Sequence, residues 1–101
     1  MSYTKAADVR APKGHWSLIE VLVDHGESTE ALGKWSLAVG EWDGERRLAA
    51  RWNGTSEREA GNPQSRGIAT WFVMPPEFAD HLMPLVPAEK LSLAKALLNL
   101  R

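Results

Sequence analysis

Asp43-Gly44 is the feature that most restricts how this chain folds. Asp-Gly between two alternating runs is one of the strongest short hairpin signals, because the tight turn that matches strand twist needs residues tolerant of positive φ. Before it, Lys34 to Trp42 (KWSLAVGEW) alternates Trp35, Leu37 and Val39 with the small or polar Ser36, Ala38 and Gly40. After it, Arg46 to Trp52 (RRLAARW) puts Leu48, Ala50 and Trp52 on one face and Arg47, Ala49 and Arg51 on the other. Such period-two alternation predicts an antiparallel pair with two unlike faces. The face of small residues leaves room for a flat ligand or another backbone.

The same pattern extends to the flanks. His15 to Asp24 (HWSLIEVLVD) clusters β-branched and apolar residues on both faces and reads as a largely buried strand. Gly67 to Met74 (GIATWFVM) resumes strand composition after Asn53 to Arg66, a polar loop of a length that is usually functional or mobile. Pro75-Pro76-Glu77 then supplies the Pro and acidic residues favoured at a helix start. Phe78, Leu82 and Leu85 form the apolar stripe of that helix, Pro84 and Pro87 interrupt it, and AEKLSLAKALLNL begins a second helical pattern. Residues 1–14 show no period and read as a flexible N-terminal arm, leaving 15–101 as a single domain with a helical tail. The expected fold is α+β: a four-stranded curved antiparallel sheet followed by a C-terminal helix (β-β-β-β-α) and a second short helix.

Composition narrows the function. The chain has 101 residues, 44% hydrophobic and 25% charged, which is ordinary for a soluble globular protein. No apolar run reaches the ~18 residues of a membrane span, and no cysteine is present for a disulfide or a thiolate metal site. The N-terminal stretch lacks the apolar core of a secretory signal, so a cytoplasmic location is expected. His15, His25 and His81 have no metal-ligand spacing, no glycine-rich phosphate loop occurs, and Ser65 has no identifiable base. An enzyme is not expected, nor a cofactor or metal. Net charge is −1, and between residues 34 and 71 six basic residues face five acidic ones. A basic surface must therefore come from how the strands sort charges between faces.

The block from Lys34 to Met74 holds four of the five tryptophans and six of the twelve Lys and Arg residues. Its order of motifs resembles the family of the transcriptional coactivator positive cofactor four and its bacterial relatives, small dimers that bind single-stranded DNA. Trp42-Asp43-Gly44-Glu45, with Arg51 nine residues after Trp42, is similar to the family's aromatic turn and the Arg closing its third strand. Ser65-Arg66-Gly67-Ile68 is similar to its entry into the fourth strand, and Pro76-Glu77-Phe78 with Leu82 to the start of its helix. The resemblance implies a homodimer packed through its helices, with Trp42 as a stacking platform and Arg51 and Arg66 as phosphate contacts. Trp52 stands near a family aromatic position in a different register. Asp43 and Glu45 stand where the family often places Lys, and the loop before Gly67 is longer.

The residues themselves point the same way. Single strands are held by base-aromatic stacking, worth ~1–3 kcal/mol per base, together with a cationic track. The expected function is non-catalytic binding of single-stranded DNA or RNA, carried by Trp42, Arg47, Arg51, Trp52, Arg66 and Lys34. A protein-interaction module without nucleic-acid binding is the alternative, favoured by the near-neutral charge and the acidic hairpin.

Overall fold

The computed structural model describes residues 3–29 and 32–100 and has the α+β architecture expected. Strands β1 (Trp16–Asp24), β2 (Trp35–Trp42) and β3 (Glu45–Trp52) form an antiparallel meander. A small hairpin, β4 (Gln64–Ser65) and β5 (Ile68–Ala69), stands apart, and β6 (Phe72–Val73) joins β3 to give the sheet order β1-β2-β3-β6. The expected fourth strand over Gly67 to Met74 is thus split. Ile68 and Ala69 turn back onto Gln64 and Ser65, and only Phe72 and Val73 reach the main ladder. Helix α1 (Phe78–Leu82), a 3-10 turn at Met83–Leu85 and helix α2 (Ala88–Leu97) follow. Pro84 and Pro87 divide them as the sequence suggested. No helix among the described residues is long and apolar enough to cross a membrane.

Asp43 and Gly44 turn the main hairpin with φ of 50° and 86°, the double positive φ that favours Asp-Gly. From that turn the register follows, with Trp42 opposite Glu45 and Trp35 opposite Trp52. Trp35, Leu37, Val39, Leu48, Ala50, Trp52, Phe72 and Met74 therefore share one face, and Ala38, Trp42, Arg47, Ala49, Arg51 and Val73 the other.

Each face builds its own core. On the first, Leu22, Val23, Leu37, Val39, Leu48 and Met74 pack under Ala79, Met83, Val86 and Ala94 of the helical segment. On the second, Trp16, Ala38, Ala49, Ala69 and Trp71 pack against Ala6 and Val9. Among the described residues 3–14, this differs from the reading of residues 1–14 as a flexible arm. Ala6 and Val9 are buried, the Trp71 Nε1–H donates to the Val9 carbonyl at 2.8 Å, and Ala11 bridges Thr70. The segment lacks a hydrophobic period because it crosses the sheet as a short 3-10 turn (Ala6–Asp8) rather than lying along it.

The small-residue face is filled by the chain itself. A Cβ on Gly40 would lie 2.4 Å from the Ser17 carbonyl and 2.5 Å from the Trp16 ring, so the flat group lodged there is the Trp16 indole. Register shifts in β1 between Leu18 and Glu20 and between Val21 and Val23 mark bulges that bend this edge strand.

Candidate binding site at the edge of the sheet

The helices cover only part of the first face. Where they end, Trp35, Ala50, Trp52 and Phe72, with the largely buried Arg51, line an open groove of about 450 Å³, closed on one side by Asn62 and Pro63. Trp52 and Phe72 are 55% and 58% exposed, a large apolar area left to solvent at one end of an otherwise covered face. Trp35 stands opposite Trp52 in the ladder and packs edge-on against His25, ring centroids 4.5 Å apart. Gly33 approaches the Trp52 ring so closely that a Cβ would stand 3.3 Å from it, which holds that indole at its other side. The aromatics are thus placed by rigid strands rather than by a mobile loop.

A second groove of about 570 Å³ opens beside the first, lined by Trp42, Arg47, Thr70, Val73 and Pro75. Phe72 and Pro63 border both grooves, so β6 forms the ridge between them. The Trp42 ring is partly occupied by its own neighbour: His15 lies 5.4 Å from it, and the His15 Nδ1 is 2.7 Å from an Asp43 carboxylate oxygen.

The six residues expected to form one binding surface do not converge. Trp42 and Trp52 lie on opposite faces and seven ladder positions apart, roughly 23 Å at ~3.3 Å per residue. Arg51 is a structural group rather than a phosphate contact. It is only 3% exposed, and its guanidinium donates to the carbonyls of Thr70 and Ala60. Burial lowers its pKa from the usual arginine value, yet a guanidinium is basic enough to keep its charge.

The loop from Asn53 to Arg66 is what buries Arg51. Asn53 and Gly54 are buried, Thr55 Oγ1 accepts from the Arg58 N–H at 2.8 Å, and Asn62 pairs with Trp52. The Asn53 side chain joins Ser36 Oγ (2.8 Å) to the Gly26 carbonyl (2.7 Å), tying this loop to the β1–β2 connection. The loop expected to be functional or mobile is thus anchored at its start, where Asn53 and Gly54 are buried, while Ser56, Glu57 and Arg58 stay exposed. Its later half carries Arg66, exposed at φ 52° in the β4–β5 turn beside Gly67 at φ 80°.

The remaining cations are spread. Arg47 forms an ion pair with Glu45, and Arg46 one with Glu41 at 3.2 Å across the hairpin. Lys34 sits at the far end of β2, half-buried, its main chain held by Ser28 Oγ and Asn53. Sequence reasoning missed that Phe72, Pro63 and Trp35 line one groove with Trp52. The signal available was the Trp35–Trp52 register set by Asp43-Gly44, which already placed two indoles side by side. Among the described residues, no group of three His, Asp or Glu side chains is placed to hold a metal ion.

Compared with known proteins, the chain matches no family model, no curated protein and no solved structure. The likeness to the positive cofactor four family rests on the short motifs alone.

Proposed function

We propose that this chain is a non-catalytic interaction module whose Trp35–Trp52–Phe72 groove holds an apolar segment of a protein partner. The observation that carries this reading is the aromatic end of the helix-bearing face, left open and almost free of charge while the rest of that face is covered. Covering an indole and a phenyl ring of this exposure removes enough apolar surface to matter, since a large side chain contributes ~1.5–3 kcal/mol when fully buried. Aromatic anchors flanked by rigid neighbours are the usual energetic centre of protein contacts. Phosphate-driven binding instead needs several free cations beside the stacking rings, and here Arg51 is buried and Arg47 is paired.

Single-stranded nucleic acid is the second reading, and one observation favours it. Arg10 and Lys13 line a cavity with Asp8, Gly67 and Ile68, next to exposed Arg66, and none of the three cations forms an ion pair among the described residues. In that reading a dimer, formed through the exposed Phe78, Leu85 and Leu93, would double the weak contacts of each subunit.

Titration followed by tryptophan fluorescence separates the two. Short Leu- or Phe-containing peptides are expected to shift the emission saturably, with the shift lost in Trp52→Ala, while an oligo-dT strand gives none at low salt. Saturable binding of oligo-dT that weakens steeply with salt, with no peptide response, would overturn the protein reading.

A further inference from the structure

We infer that the segment held by the Trp35–Trp52–Phe72 groove is proline-rich and lies there as a polyproline II helix, an inference that rests on the peptide-binding reading. The hydrogen-bonding groups of the groove carry the argument. Its main-chain carbonyls are largely engaged. The Trp35 carbonyl accepts from the His25 N–H at 3.2 Å, Trp52 and Asn62 exchange main-chain bonds of 2.7 and 3.1 Å, and the Pro63 carbonyl accepts from the Thr70 N–H at 3.1 Å. Among the side chains that line it, only the Asn62 amide offers an acceptor.

Donors remain. Among the described residues, Trp71 is the one tryptophan whose indole N–H meets a protein acceptor, and the Trp35 N–H is not buried. Trp52 meets Gly33 with the Cε3–Cζ3 edge of its ring, which puts the edge bearing Nε1 on the side away from that contact. An ordinary extended segment would press its own N–H groups against this surface and lose their bonds to water without replacement. A run of prolines has no N–H to lose and presents carbonyls. It also arrives with its backbone nearly fixed, so binding costs it less entropy.

The spacing of the rings suits such a helix. Phe72 stands opposite Ala50, two residues along β3 from Trp52, so the two exposed rings are diagonal neighbours ~7–8 Å apart. A polyproline II helix repeats every three residues, ~9 Å, which sets prolines three apart on neighbouring rings.

Arg51 decides the charge of the occupant. It borders the groove, and its guanidinium is paired with the Thr70 and Ala60 carbonyls rather than with a carboxylate. A cation without a counter-charge repels a cationic guest from the aromatic faces and favours carbonyl oxygens. Its remaining donor, Nε, is buried, so a carboxylate in the groove would gain no bond from it to offset desolvation. The occupant is therefore neutral, rich in acceptors and poor in donors.

The probes are decaproline and an acetylated decapeptide alternating leucine and serine, each added to the full chain while tryptophan emission and the indole N–H resonances are followed. Decaproline is expected to saturate with a Kd at least about tenfold lower than the leucine–serine peptide and to shift the Trp52 indole N–H resonance downfield. Trp52→Phe keeps an aromatic ring without the N–H and should weaken decaproline about fivefold or more, the worth of one hydrogen bond. Decaproline binding no tighter than leucine–serine, or unchanged by Trp52→Phe, overturns the proline reading and leaves the groove reading standing. Tighter binding of a trimethyllysine peptide than of decaproline overturns it too, because the groove would then be selecting a cation. No shift with any of these peptides up to about 1 mM overturns the groove reading itself.

Discussion

Arg51→Ala removes a guanidinium that is 3% exposed and donates to the Thr70 and Ala60 carbonyls. Hydrogen bonds from a charged donor contribute ~1.5–3 kcal/mol each, so the pair is worth roughly 3–6 kcal/mol before relaxation. The two carbonyls belong to the packed Asn53–Asn62 loop and to the approach to β6, and water entering the vacated space would recover part of that loss. A net destabilisation of about 3–4 kcal/mol is expected, out of the ~5–15 kcal/mol that holds a domain of this size. At ~4–8 °C per kcal/mol, the melting temperature should fall by at least about 12 °C. Arg51→Met keeps the aliphatic stem and removes only the donors, so comparing the two variants separates packing from hydrogen bonding. Urea unfolding followed by tryptophan fluorescence measures both. A loss below about 1 kcal/mol, coupled to loss of oligonucleotide binding, would show that Arg51 meets a ligand and would refute this account of it.

Other substitutions test the remaining parts of the fold and site. Gly40→Ala should destabilise by about 1–3 kcal/mol, because its Cβ must displace the Trp16 indole or the Ser17 carbonyl; a neutral result would mean that the ring is free to move. Val9→Ala should lower stability by roughly 1.5–3 kcal/mol by opening the second core, an effect that a loose N-terminal segment would not produce. Arg47→Ala should change stability by no more than ~1 kcal/mol, since its pairing with exposed Glu45 is screened by water. Trp52→Ala should abolish the peptide response while leaving the thermal midpoint within a few degrees, which differential scanning fluorimetry would check.

Which features were legible in the sequence depended on how local their causes are. The hairpin at Asp43-Gly44 and the division of the helical segment at Pro84 and Pro87 follow from backbone preferences of two or three adjacent residues. The faces of β2 and β3 follow once the turn sets their register. Arg47 and Arg51 sit four residues apart on one face of one strand and look equivalent. A loop returning from Asn53 to Asn62 then seals one of them beneath it, and nothing in the pattern of β3 announces that loop's path. The N-terminal segment was misread for the same reason, because contacts such as Trp71 with Val9 span 62 residues and leave no periodic trace.

By itself, then, the sequence determined the three-strand meander, the main turn, the helical segment and its breaks, and which side chains of β2 and β3 share a face, all consequences of short-range sterics and alternation; the splitting of Gly67 to Met74 into β5 and β6 was not among them. Tertiary structure alone decided which of those faces stays uncovered. The helices reach over Leu37, Val39 and Leu48 and leave Trp52 and Phe72 exposed, while a loop and the N-terminal segment cover part of the other face and leave the Trp42–Arg47 groove open. Burial is settled by how far one packed element extends over another, a distance that no local preference encodes.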